Sequence, residues 1–334
     1  MCAKKVARPK TESRPQSRKK TTAQKPKGKP ASKPAGQTPS TRKPNARKPS
    51  ARQMPGFAPV APPQLAIAEQ PAADSILKER VFSCIRSVVR PDEVVFGADS
   101  TTRSLGIAAG IPNEIDHRRD WWTVGDQKQT GSCVGWAVGD GLVRWHLTSK
   151  NRLPQQSRLS VRYFWMAAKE TDEFSEEPTT FLEDAGTSVR SALEVARRFG
   201  CVEESVLPMS GGLFTGGAES FFALAERLKI SGLMPVRSDP DVLRRWLARE
   251  GPVAGRLLVD QSFHGASGTT PLNEYKPFPF TFKMGHAVVL AGYRNDGTWI
   301  VRNSWGESWG DQGFAYVTDQ YLLQAFTEFF GIYS

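Results

Sequence analysis

The chain has 334 residues, a formal net charge of +11 and four cysteines, enough length for one large domain or two. No run of 18 apolar residues occurs, and the opening Met1-Cys2-Ala3-Lys4-Lys5 lacks an apolar segment, which argues against a membrane-spanning helix and a secretory signal. Cytoplasmic synthesis is the simplest expectation, with non-classical export or delivery left open.

The charge is unevenly placed. Residues 1–55 hold 17 Lys and Arg against a single acid, Glu12, a local charge of +16 that leaves the remainder at −5. This stretch is rich in Lys, Pro, Ser, Thr and Ala and almost empty of large apolar side chains. It cannot bury enough surface to offset its ordering entropy, so it is expected to be a disordered basic tail. It reads either as a solvated linker or as an electrostatic tether to nucleic acid or another acidic surface. No aromatic residues are interleaved, so base-specific recognition is not expected.

Residues 56–105 begin with a Pro/Ala linker. Asp74 to Val89 then has the spacing of a short amphipathic helix, with Ser75 as its cap and Ile76, Val81, Ile85, Val88 and Val89 on one face. It reads as a structural extension in preference to a propeptide-like cover over a cleft.

In Asp126-Gln127-Lys128-Gln129-Thr130-Gly131-Ser132-Cys133, a polar loop runs into a cysteine, and Val134, Ala137, Val138, Leu142, Val143 and Trp145 follow at helical spacing. That places Cys133 in the first turn of a partly buried helix, where unpaired backbone N–H groups and the helix dipole favour a thiolate. A free cysteine is more often a small buried hydrophobe, and Cys201, between Gly200 and Val202, is read that way. With Cys133 free, three other cysteines remain, which argues against a disulfide framework. His117, beside Arg118 in a polar run, is read as a surface residue and His146 as a structural one. His264 falls in a loop without an Asn partner.

Leu159 to Ala168 and Val189 to Phe199 read as helices, the second capped by Gly186-Thr187-Ser188; Asp239-Pro240 starts another, and Pro252 to Val259 is a strand. Gly285 to Tyr293 and the stretch from Trp299 read as two strands joined by the Arg294-Asn295-Asp296-Gly297 turn. Such a hairpin brings His286 close to Asn303. A Cys, a His and an Asn that orients the His make a nucleophile, a base and its positioner.

These motifs resemble those of the papain-like cysteine peptidases (clan CA). Gln127 and Gly131-Ser132-Cys133 resemble the oxyanion-hole Gln and the nucleophile. Gly285-His286-Ala287-Val288 resembles the catalytic His block, and Asn303-Ser304-Trp305-Gly306-Glu307-Ser308-Trp309-Gly310 resembles the Asn-Ser-Trp-Gly signature. The resemblance covers residues 106–334. It implies an α+β papain-like fold, with a helical subdomain carrying Cys133, an antiparallel β-barrel-like subdomain carrying His286 and Asn303, and a cleft between them. It further implies peptide-bond hydrolysis by Cys133, His286, Asn303 and Gln127, with Gly186, Gly285 and Trp305 against the substrate. No cofactor and no metal is implied, the partner is a protein or peptide substrate, and the chain is read as a monomer. The family's usual Cys before this motif is Thr130 here and its following Trp is Val134, which fits a bacterial-type variant without the usual disulfides. A catalytically silent binding protein, or a transpeptidase or deamidase using the same Cys–His pair, are the alternatives.

Overall fold

The computed structural model describes residues 80–98, 110–172, 177–278 and 285–334. The basic tail and the linker expected before residue 80 lie outside the described residues.

Four helices gather on one side of the molecule. Helix α1 starts at Cys133–Gly135, widens into a π-helical stretch over Trp136–Val143 and ends as Arg144–Ser149. Its apolar periodicity is real, and the burial goes further than a stripe: every residue from Cys133 to Thr148 except Trp136 is buried. Small residues allow this. A Cβ on Gly139 would stand 2.5 Å from Phe164, and one on Gly141 2.7 Å from Val289 of the sheet. Helices α2 (Val161–Glu170) and α3 (Val189–Arg198) pack against α1, and each is capped by the serine before it: Ser160 accepts from Tyr163 N and Ser188 from Ser191 N. Helix α4 (Ala218–Glu226) completes the group.

The other side is a seven-stranded antiparallel sheet. Its strands are β1 (Ile115–Asp116), β2 (Gly232–Val236), β3 (Val253–Leu258), β4 (Gly285–Tyr293), β5 (Trp299–Arg302), β6 (Phe314–Val317) and β7 (Phe326–Tyr333), ordered β2-β7-β3-β4-β5-β6 with β1 on β4. All nine residues of β4 are buried, because it is flanked on both edges and covered on both faces. The expected hairpin is present: Arg294 N donates to Thr298 O at 2.8 Å, and Val289 faces Arg302 across the ladder. Helix α5 (Pro240–Arg249), with Asp239 as N-cap and Pro240 just inside it, packs on the sheet with α7 (Asp319–Ala325). A one-turn helix, α6 (Gln261–His264), follows β3, so His264 ends a short helix rather than lying in open loop.

Two expectations fail. The helix expected up to Val89 is absent from its described part: residues 80–90 form no helix or strand, with Ile85 in a lone bridge to Ser188. The periodicity there does not mark a buried face, since Ile85 and Val89 are exposed; partners distant in sequence take up the backbone groups that a helix would have satisfied internally. His117 is also not a surface residue. Its Nε2 lies 2.9 Å from Leu247 O, and its ring packs edge-on against Trp145. His146 is buried beside the same tryptophan, as a structural histidine should be.

Candidate active site

Loop 126–132 is fastened before α1 begins. Gln127 N donates to Ser304 O at 2.9 Å, Gly306 N to Gly125 O at 2.9 Å, and Lys128 N to the Asp126 carboxylate at 2.8 Å. The first two bonds tie the loop before Cys133 to the segment after Asn303, so the helical and sheet halves are registered at this point. Farther along α1, buried Asp140 receives Arg302 Nη2 at 2.7 Å and Arg144 Nη1 at 3.0 Å. Arg302 directly precedes Asn303, so this ion cluster fixes the Cys133 helix against the Asn303 strand.

His286 is the second residue of β4 and Asn303 follows the end of β5. The ladder brings them together: His286 Nε2 lies 2.7 Å from Asn303 Oδ1. An amide oxygen only accepts, so Nε2 is the donor and Nδ1 remains for Cys133. Both residues are buried, and Trp305 covers the contact with its ring 4.9 Å from the imidazole. Phe263 and Trp309 pack on Trp305 in turn.

The Cys133 thiol is wholly buried, which alone would push its pKa up. It is instead held well below the ordinary thiol value, first by a hydrogen bond from Cys84, then by hydrogen bonding and charge from His286 and by the backbone N–H of Ala287. Cys84 moves the other way: burial, its bond to Cys133 and the charge on Cys133 raise it well above the ordinary value. The two thiols are thus shifted in opposite directions, and the Cys84 thiol also points at Ile85 O, 3.7 Å away. Gln127, also buried, holds Ser304 Oγ on its Oε1 at 2.8 Å and points its Nε2 at Thr130 O and Val81 O, at 3.1 and 3.3 Å.

Cys84 and Val81 belong to the 80–90 segment, which crosses this site as a strap. Arg80 bonds the Asp126 carboxylate at 2.7 Å and lies over the Trp305 ring at 5.7 Å. Phe82 meets both Trp305 and His286 edge-on. Ser83 Oγ donates to Gly131 O at 3.1 Å; Cys84 N donates to Gly285 O at 3.0 Å, and Arg256 Nε to Cys84 O at 2.9 Å. Ile85 N then donates to Thr187 O at 3.0 Å, and Ser87 places its N–H and hydroxyl on the Glu328 carboxylate, both at 3.0 Å. Gly186 and Gly285 must be glycines for this approach, since a Cβ would come within 1.9 Å of Ser83 O and 2.2 Å of Cys84 O respectively. All three residues expected against substrate, Gly186, Gly285 and Trp305, thus lie under the strap.

The seven residues singled out in sequence converge on one place. Cys84, Phe82, Arg256 and the Asp140–Arg302 pair were not anticipated. Only Phe82 and Cys84, two apart as neighbours on one side of a strand would be, left a trace, and the helical spacing around them masked it. Among the described residues no group of His, Cys, Asp and Glu is arranged to hold a metal ion.

Comparison with known proteins agrees with this geometry. The family model described as "Papain family cysteine protease" matches residues 111–324. Cathepsin K of Mus musculus is 26% identical over 215 residues, covering 61% of this chain and 59% of its own. Cysteine proteinase B of Leishmania mexicana is 29% identical over 118 residues, 34% of this chain and 25% of its own, so the chain spans from a quarter to about three-fifths of these relatives. In structure it resembles xylellain, a cysteine protease from Xylella fastidiosa, at a TM-score of 0.61 and 21% identity over 77% of this chain and 97% of that one. It also resembles procathepsin L2 of Tenebrio molitor, at 0.58 and 19%, covering 79% and 81%. These similarities support the α+β papain-like fold, and the chain belongs to the papain family of cysteine proteases.

Proposed function

We propose that the chain is a cysteine endopeptidase held in a latent form by residues 80–87. The observation that carries this reading is a buried Cys133 thiol, its pKa held down, beside an imidazole whose far nitrogen is fixed by Asn303 at 2.7 Å. With the strap displaced, Cys133 attacks a peptide carbonyl and a thioester forms as the amine leaves. His286 delivers the proton from Nδ1 to that amine, then takes one from the water that hydrolyses the thioester. The Gln127 amide, freed from Val81 O, and the N–H of Cys133 hold the oxyanion. Asn303 positions the imidazole without exchanging a proton, and Trp305 keeps water off that bond.

The strap occupies the groove without being a substrate. It sets a side chain, Cys84, against the nucleophile, and the Cys84 carbonyl is turned to Arg256, not to Gln127. The strap carbonyl that the Gln127 amide does hold is that of Val81, at 3.3 Å. The test is hydrolysis of a quenched peptide library by variants in which the strap is weakened by Phe82→Ala. Activity is expected there, with Gln127→Ala on the same background lowering kcat by about 10²–10³. Hydrolysis that survives Cys133→Ala would overturn the assignment.

A further inference from the structure

The strap carries a buried thiol at position 84. Of the three described cysteines, none is in a disulfide, and Cys201 lies apart in the helical core with its thiol on Leu228 O. The other two meet at the nucleophile. Cys84 is held from both sides of its backbone, by Gly285 O on its N–H and by Arg256 on its carbonyl, with Ser83 and Ile85 anchored to Gly131 and Thr187. Those bonds fix the main chain at residue 84 over the Gly285–His286 corner, and the Cys84 side chain is 3% exposed while both neighbours reach solvent. The Cys84 side chain is thereby turned inward, where its thiol interacts with that of Cys133.

We propose that Cys84 and Cys133 are a redox modification site: a peroxide oxidises the pair to a disulfide that staples the strap into the cleft, and a thiol reductant opens it. The proposal rests on the latency reading above only for its consequence, since the bond itself needs no peptidase activity. The chemistry balances in two steps. The Cys133 thiolate attacks one oxygen of hydrogen peroxide; an S–O bond forms, the O–O bond breaks, and hydroxide leaves, giving a sulfenic acid. The Cys84 sulfur then attacks the Cys133 sulfur, an S–S bond replaces the S–O bond, and the departing hydroxyl takes the Cys84 proton as water. Two electrons pass from the sulfurs to one peroxide. The division of labour between the thiols suits this order, because the thiolate is the peroxide-reactive form and the neighbouring thiol is the resolving partner. Reduction runs by thiol–disulfide exchange, with an external dithiol oxidised in turn.

Two consequences follow. The nucleophile is spared from irreversible sulfinic and sulfonic acids, because its sulfenic acid is consumed as it forms. The peptidase also stays covalently latent in oxidising surroundings and becomes releasable in reducing ones.

The test uses the full chain and Cys84→Ser, each exposed to hydrogen peroxide, digested without reduction and mapped by mass. The wild type is expected to give one linked peptide joining Cys84 to Cys133, two hydrogens lighter than its parts. Its labelling by an epoxysuccinyl thiol probe should return fully after dithiothreitol. Cys84→Ser should lose that labelling permanently, with Cys133 recovered as sulfinic or sulfonic acid. The proposal is overturned if the wild type over-oxidises at Cys133 as fast as Cys84→Ser does, if it resists peroxide altogether, or if the linked peptide joins other cysteines. Failure of the peptidase reading would leave the linked peptide in place. Failure of the redox pair would leave hydrolysis by Phe82→Ala untouched.

Discussion

Burial has opposite outcomes for the chain's titratable side chains, and what decides is whether a partner compensates it. Cys133 is as buried as Cys201. Yet burial lifts the Cys201 thiol, while hydrogen bonds and the imidazole bring the Cys133 thiol down. His146 is the uncompensated case among the histidines: its one acceptor, Pro252 O, is 3.4 Å away, and burial lowers its pKa to about 4. A base whose pKa is lower in the folded state resists protonation there. Its neutral form therefore contributes full stability above its unfolded value of about 6.5, and that contribution is lost as pH falls towards 4. A fall from 6.5 to about 4 corresponds to about 3 kcal/mol. His117, also lowered by burial, adds to the same acid loss. Urea unfolding at pH 7, 5 and 4 should show His146→Gln losing markedly less stability on acidification than the wild type. Parallel pH profiles for the two proteins would contradict this account.

At the scale of elements, the site depends on contacts between the α1 helix and the β4–β5 hairpin. Asp140 joins them through Arg302 and also holds Arg144 of its own helix, with a third arginine, Arg158, 3.6 Å away. Removing the one acid would strand two buried guanidinium groups, so Asp140→Ala should cost about 3–5 kcal/mol in denaturant unfolding. A loss under about 1 kcal/mol would show that the cluster does not hold the halves together. The hairpin and the start of α1 were legible because their signals are local: β-branched runs about an Asn-Asp-Gly turn, and a polar loop feeding an apolar helical period. The strap was not. Ile76 to Val89 carries a helical spacing of apolar residues, but the bonds that settle residues 80–87 come from Gly131, Thr187, Gly285 and Glu328. None of these is near in sequence, and no local pattern announces them. The same holds for Asp140, whose identity as a tie rather than a solvated charge depends on an arginine in a distant strand.

Over the whole molecule, motif content fixed the family and the order of the parts, because the proposed chemistry needs Cys133, His286, Asn303 and Gln127 at one point whatever surrounds them. What surrounds them was harder to read. Strands β2 and β7, which pair with each other and close the sheet next to β3, carry Pro235 and Gly331 and lack a clean alternation, so neither was anticipated. They matter to the site because β7 supplies Glu328, the anchor of the strap at Ser87. The fold thus brings seven expected residues together and then covers them with a segment expected to lie elsewhere as a helix.

The most direct test of a thiolate nucleophile beneath an inhibitory strap is the rate at which an epoxysuccinyl probe adds to the reduced protein, read by intact mass. The wild type should label slowly, Phe82→Ala at least about tenfold faster, and Cys133→Ala not at all, with the adduct mapping to Cys133. Equal rates for the wild type and Phe82→Ala would mean that the strap does not guard the site, and an adduct on any other cysteine would mean that Cys133 is not the activated thiol.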